Sequence, residues 1–183
     1  GLRQRIEKLQ LELDMHKQKG TYLVIDRHSG HFWVRQDDAV LYEGECGVGK
    51  GRSYVRGKNY DFETPAGKMK VISKIKEPWW YRPDWFWYEK GMDVPKHFIK
   101  YPRGATYYEA IAFYNSLSKE DKLRVRAVPG YLGKYTIKIA EGIYIHYGAR
   151  RRGQVSHGCI RVSRESAEKL FLLLDIEDPV YIF

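Results

Sequence analysis

Between Ile145 and Arg161 the chain reads IHYGARRRGQVSHGCIR. These seventeen positions hold two of the six histidines and one of only two cysteines. A thiol attacks as thiolate, and at about pH 7 an ordinary cysteine, with its pKa of ~8.5, is only a few per cent ionised. A neighbouring imidazole remedies this by taking the thiol proton and later handing it to a leaving amine. His146 closes the apolar run Ile143-Tyr144-Ile145, so a stiff strand is expected to hold its ring. Cys159 follows thirteen residues later, a loop length that can fold the thiol back beside that ring. Gly158 removes a side chain just before the cysteine, and the N–H groups of Gly158 and Cys159 are expected to meet a developing oxyanion. An ion pair between His146 and Cys159 would let alkylation persist well below the ordinary thiol pKa. Two other readings stay open on these residues. Free cysteine is often simply a small buried apolar group. A metal site would draw on His146, His157 and Cys159, but no fourth ligand at customary spacing and no C-x-x-C accompanies them.

Outward from this stretch, the 183-residue chain suits one domain plus an appendage and can bury a real core. Apolar residues at 43% and charged residues at 30% exclude a disordered chain. The aromatic share of 15%, with fifteen Tyr and five Trp, favours strands and a cleft facing sugar or peptide. A net charge of +9 favours an anionic partner. No nucleic acid is expected in that role, because the basic residues are scattered and no recognition helix, zinc-finger spacing or RNA-binding signature occurs. Two cysteines do not make a disulfide framework, and no apolar run reaches the ~20 residues that span a membrane. The chain opens at Gly1 with neither initiator Met nor signal pattern, so a membrane tether or anchor upstream is an expectation.

Residues 1–20 place Leu2, Ile6, Leu9 and Leu13 on a heptad seam ending at Gly20, which predicts an N-terminal coiled-coil-like helix able to self-associate. From Thr21 the pattern changes to strands: TYLVID, HFWVRQ and AVLYEGECGVG, separated by Gly, Asp and Ser turns. ETPAGKMKVISKI reads as a turn and then a strand, and EPWWYRPDWFWYEKGMDVP as an ordered aromatic loop. TYYEAIAFYNSL and SKEDKLRVRAV read as helices, the second capped by Ser118. GYLGKYTIKIAEGIYIHYG supplies two strands, SRESAEKLFLLLDI a helix capped by Ser163, and PVYIF a closing strand. The fold class is mostly β with peripheral helices.

Ser156-His157-Gly158-Cys159-Ile160-Arg161 resembles the signature of the L,D-transpeptidase catalytic domain, the YkuD family. Thr64-Pro65-Ala66-Gly67 resembles its Thr-Pro-x-Gly turn, and Pro78-Trp79 with Pro83 its Pro/Trp segment. Pro129-Gly130-Tyr131-Leu132-Gly133 resembles the approach to the strand carrying the catalytic His. The resemblance implies a β-sandwich or barrel-like catalytic domain over residues 21–183. Residues 84–127 have no recognised counterpart in the family and, from their place between the Trp/Pro segment and the catalytic strand, read as a cap or lid insertion. It implies that Cys159 is the nucleophile and His146 its base, that His157 lines the oxyanion pocket, and that Ser156 and Gly158 shape the loop. No metal or organic cofactor is implied. The implied substrate is a peptidoglycan stem tetrapeptide, which loses D-Ala through a thioester. An amine of a second stem or of a lipoprotein would resolve the thioester; water would make the enzyme an L,D-carboxypeptidase. Carbapenems would acylate the same cysteine, and the setting would be the periplasm or cell envelope. A non-catalytic peptidoglycan-binding module is the alternative of another class.

Arg161 is carried over as a residue that organises the site or meets a substrate carboxylate, with a structural salt bridge as the other reading. Trp79 is a further substrate-binding candidate, and Arg150, in the run Arg150-Arg151-Arg152, reads as a solvated charge or as a captor of substrate carboxylates. His146-Tyr147-Gly148 stands where many members have His-Gly-Thr, which adds Tyr147 and Gly148 to the candidates. That departure leaves the group that orients His146 open, a backbone carbonyl being one option. Cys46 reads as a buried thiol or as a redox partner of Cys159.

Overall fold

The computed structural model describes residues 1–183. Helix α1 (Leu2–Lys17) precedes a meander of β1 (Thr21–Asp26), β2 (His31–Gln36) and β3 (Ala39–Glu45). Its turns fall where left-handed backbone is tolerated, at Gly30 with φ 67° and Asp37 with φ 52°. Strand alternation then sorts the side chains. Leu23, Ile25, Phe32 and Val34 enter the main core, while Tyr22, Val24 and Trp33 pack on the α1 side.

Next come β4 (Gly47–Gly49), the hairpin β5 (Gly51–Val55) and β6 (Lys58–Phe62), then β7 (Gly67–Lys70) and β8 (Ser73–Lys76). β9 (Trp79–Tyr81) opens an excursion that contains α2 (Trp85–Tyr88), α3 (Tyr107–Ser116) and α4 (Lys119–Lys122), and β10 (Ala127–Pro129) closes it. The chain ends with β11 (Tyr135–Ala140), β12 (Ile143–Tyr147), β13 (Gly153–Ser156), β14 (Ile160–Val162), α5 (Arg164–Leu173) and β15 (Pro179–Ile182). Two main sheets result, ordered β3-β2-β1-β15-β7 and β13-β4-β14-β12-β11-β8. Sixteen buried residues from both sheets and α5 form one core, among them Leu23, Val34, Ile145, Ile160, Leu170 and Val180. The mostly β fold with an N-terminal helix is as expected.

Two stretches that read as single strands bend from one sheet into the other. AVLYEGECGVG breaks at Cys46, between β3 and β4, and GKMKVIS breaks at Val71–Ile72, between β7 and β8. Cys46 and Val71 are fully buried at these corners. Their N–H groups bond the carbonyls of Gly30 and Asp178, each at 2.9 Å. Apolar residues continue through such a corner, so periodicity cannot reveal it. SKEDKLRVRAV forms only the short α4, capped as expected by Ser118, which accepts from Asp121 N–H at 3.1 Å. Beyond it Val125 is fully buried and the chain extends into β10.

Strands β9 and β10 pair antiparallel, Trp79 opposite Pro129 and Tyr81 opposite Ala127. Residues 84–127 therefore leave and return through one ribbon. Trp87 is fully buried there and donates Nε1–H to the Leu123 carbonyl at 2.8 Å. The buried Arg82 guanidinium donates to the carbonyls of Lys122 and Val125 and to the Tyr114 hydroxyl. Helix α1 docks through Leu11 and Met15 on Tyr22, Val24 and Tyr181, with Asp14 paired to Lys68 at 2.9 Å. Leu2, Ile6, Leu9 and Leu13 remain exposed.

Candidate active site

Sheet register explains why residues thirteen positions apart come together. Strands β12 and β14 are parallel neighbours, with Ile145 opposite Ile160, His146 opposite Arg161 and Tyr147 opposite Val162. Ile145, Ile160 and Val162 point into the core, so alternation leaves His146 and Arg161 on the other face. Cys159 lies two residues before Arg161, immediately ahead of β14. A parallel pair needs a crossover, and the segment carrying β13, laid parallel on β4, provides it.

His146 is buried, and its Nδ1 lies 2.7 Å from the Tyr147 carbonyl oxygen. A carbonyl only accepts, so Nδ1 carries the hydrogen and Nε2 keeps a free lone pair. The orienting group is thus a backbone carbonyl. Burial chiefly, and the Arg161 charge beside it, push His146 down to about 4 against the opposing pull of that carbonyl. Burial also pushes the Cys159 thiol up, while a backbone hydrogen bond at Tyr144 and the Arg161 charge pull it down. The Sγ lies 4.0 Å from the Gly142 carbonyl, and no hydrogen bond links it to His146. Both shifts favour the uncharged forms, a thiol at Cys159 and a neutral imidazole at His146. These shifts run against the ion-pair expectation, because burial penalises both of the charges that such a pair would need.

The loop before Cys159 is braced by two buried hydroxyls. Ser156 Oγ accepts the Gly158 N–H at 3.2 Å and donates to the Cys159 carbonyl. Thr64 Oγ1 accepts the Gly49 N–H at 2.8 Å and donates to the Gly158 carbonyl at 2.7 Å. Gly158 has φ 118°, a backbone conformation that side chains disfavour. The expectation that its N–H meets an oxyanion does not hold, because Ser156 occupies that donor. The Cys159 N–H has no acceptor within the protein.

His157 is gripped by residues far away in sequence. Its Nε2 lies 2.9 and 3.2 Å from the two oxygens of Glu89, just after α2. Trp85 stacks on the ring with centroids 3.7 Å apart and planes 15° apart, and Phe62 meets it edge-on at 4.5 Å. Lys50 Nζ lies 2.9 Å from the same Glu89. Burial pulls His157 below the usual imidazole value, with Glu89 opposing and Lys50 and Arg161 assisting. Burial also works against ionised Glu89, but hydrogen bonds from Lys50 and His157 outweigh it and hold the carboxyl low. None of Lys50, Phe62, Trp85 or Glu89 was singled out from the sequence, and no local spacing links them to position 157. Thr64 was visible only as part of a turn.

The other candidates separate into distinct places. Arg161 lies against Gly148, where a Cβ would meet the arginine stem at 2.4 Å, so Gly148 makes room for the arginine. Of the three loop arginines, Arg152 pairs with Glu45 at 3.0 Å and Arg151 bonds the carbonyls of Gly148 and Ala149. Arg150 is exposed and its guanidinium makes no ion pair; its carbonyl accepts from Arg161 at 3.4 Å. The Tyr147 ring packs under the Arg164 guanidinium at 3.9 Å, and register puts it on the face opposite His146. Tyr147 therefore contributes its carbonyl rather than its ring. Trp79 meets Tyr101 and Tyr107 edge-on, whereas its neighbour Trp80 stacks on Tyr131 and approaches Trp85. Trp80 is thus the member of this pair that leads toward His157. Cys46 is fully buried in the core, with burial pushing its thiol up to about 12, and both cysteines are free. No cluster of three His, Cys, Asp or Glu side chains with the geometry to hold a metal ion is formed.

Two packed β-sheets carry a strand-borne histidine, His146, and a loop cysteine, Cys159, just ahead of the neighbouring strand. The chain matches the model of the YkuD family, the L,D-transpeptidase catalytic domain, over residues 20–182 and belongs to that family. Among solved structures it is similar to a cysteine-to-serine mutant of an Enterococcus faecium L,D-transpeptidase, with 20% identity and TM-score 0.55 over 90% of this chain and 50% of that one. It is similar also to an L,D-transpeptidase from Xylanimonas cellulosilytica, with 17% identity and TM-score 0.57 over 91% of this chain and 62% of that one. The catalytic domain of the E. faecium L,D-transpeptidase acylated by ertapenem is a third, with 17% identity and TM-score 0.51 over 91% of this chain and 98% of that one. At these identities the likeness is one of fold. The chain spans about half of the first relative's length and three-fifths of the second's. No match was found among the curated proteins.

Proposed function

We propose that this chain is a peptidoglycan L,D-transpeptidase working through a thioester on Cys159. The observation that carries the reading is the Tyr147 carbonyl on His146 Nδ1, which leaves Nε2 free as a base on the strand next to the one that Cys159 precedes. The thiol proton passes to His146 Nε2 as Sγ attacks the carbonyl of the third stem residue. The oxyanion is met by the Cys159 N–H. His146 returns the proton to the amine of D-Ala, that C–N bond breaks, and the thioester remains. An acceptor amine then attacks the thioester, its proton leaves through His146, and the thiol is regenerated. A neutral base and a neutral thiol suit this scheme, because the proton moves in step with attack. The Arg161 charge favours the sulfur anion as it forms. Arg150, with no ion pair of its own, is available to a substrate carboxylate.

The acceptor is a second stem or a lipoprotein, and residues 84–127 serve as the cap that limits access to it. The setting is the periplasm or cell envelope, where a carbapenem would acylate Cys159 as ertapenem acylates the E. faecium catalytic domain. The exposed seam of α1 suits pairing with a second copy. The test is a purified disaccharide tetrapeptide incubated with and without an amine acceptor. Amine adduct or dimer supports transfer, and tripeptide alone makes the enzyme an L,D-carboxypeptidase. Intact tetrapeptide with sacculus binding retained by Cys159→Ala makes it a binding module.

A further inference from the structure

His157 makes no backbone hydrogen bond through either its N–H or its carbonyl. Its neighbours in the loop are fixed by Ser156 and Thr64, so the His157 side chain is that residue's own polar anchor. Every grip on the ring comes from outside the loop: Phe62 from β6, and Trp85 and Glu89 from the 84–127 segment. Stacking at 3.7 Å fixes the ring plane, and the Glu89 contact at 2.9 Å fixes its rotation within that plane. One residue, Gly158 at φ 118°, separates this fixed ring from Cys159.

We propose that Glu89 is a positioning residue, whose carboxylate receives the Nε2–H of His157 and thereby sets the loop that presents Cys159. The charged groups facing His157 are Glu89 after α2, Lys50 after β4 and Arg161 on β14. Burial and the two cations keep the ring neutral, so its hydrogen sits on Nε2 and its Nδ1 is an acceptor. The imidazole of His157 is then a bolt for the loop and offers no N–H to an oxyanion. This rests on Cys159 being the reacting group, as proposed above.

The test compares wild type, Glu89→Ala and Glu89→Gln by iodoacetamide labelling of Cys159 at neutral pH, by 15N histidine NMR and by tetrapeptide turnover. Small misplacements of a reacting group are costly, so Glu89→Ala is expected to label about tenfold more slowly. Glu89→Gln, which keeps an accepting oxygen, is expected to stay within about threefold of wild type. In wild type the His157 signals should show the Nε2–H tautomer, and in Glu89→Ala a mixture. Labelling of Glu89→Ala at the wild-type rate would overturn the proposal, as would Glu89→Gln labelling as slowly as Glu89→Ala. Should Glu89→Ala not fold, the wild-type spectrum decides, and an Nδ1–H or doubly protonated His157 at neutral pH overturns it. Tetrapeptide left intact by wild type would count against the proposed reaction alone, since labelling and NMR read the positioning independently.

Discussion

The two histidines of the site are held in opposite ways. His146 takes its place from β12, its facing from sheet register with β14, and its tautomer from the carbonyl of the very next residue. His157 takes nothing from its neighbours. Its ring is set by Glu89, 68 positions away, by Trp85 and by Phe62. The proposed base is therefore held by the two-sheet core, whereas the His157 ring is held by Phe62 and by contacts that the 84–127 segment brings. Change in that segment can alter turnover without touching the base.

The comparison can be broken first at the sulfur. Cys159→Ser should lower tetrapeptide turnover about a thousandfold or more, measured by product formation. Cys46→Ala, at the corner between the sheets, should leave turnover intact and lower Tm through the small cavity it opens. His146→Gln should follow, with a loss of about a hundredfold to ten-thousandfold, as expected for removal of a general base. Both losses exceed the roughly tenfold effect expected on the Glu89 side. The reverse order would mean that the loop, and not the strand, carries the base.

The pH dependence sharpens the same contrast. His146 is held at about 4 in the fold against about 6.5 when unfolded. The unfolded chain thus binds the extra proton between those values, and stability falls as pH drops from about 6.5 to about 4. The loss is about 3 kcal/mol at about 1.4 kcal/mol per unit, measurable by urea unfolding, and His146→Gln should remove it. Arg161 raises the cost of a charge on His146 and lowers it on Cys159. Arg161→Met should therefore move the alkylation midpoint of Cys159 upward, from a wild-type midpoint already above the ordinary thiol value. The smallest effect is expected farthest from the site. Replacing Ile6 and Leu9 by Gln should leave turnover within about twofold, as surface changes do, while sedimentation would lose any dimer.

What the sequence reveals follows the range of the contacts. The apolar run Ile143-Tyr144-Ile145 identified the β12 element and the place of His146, and side-chain caps announced the starts of α4 and α5 at Ser118 and Ser163. Those are local signals. The corners at Cys46 and Val71 were hidden because a residue buried at a sheet switch looks like one buried within a strand. A backbone carbonyl was among the options for orienting His146, but that it is the Tyr147 carbonyl was not legible, because backbone acceptors have no letter of their own. The occupied N–H of Gly158 depends on the rotamer of Ser156, and the grip of Glu89 on His157 depends on where an aromatic excursion folds back. Neither leaves a pattern at fixed spacing.

Mass spectrometry of the intact protein during incubation with the stem tetrapeptide tests the central claim most directly. The account predicts a covalent acyl-tripeptide adduct mapped to Cys159, equimolar release of D-Ala, and no adduct on Cys159→Ser at neutral pH. Turnover of the tetrapeptide by Cys159→Ser, or an adduct on any other residue, would contradict it.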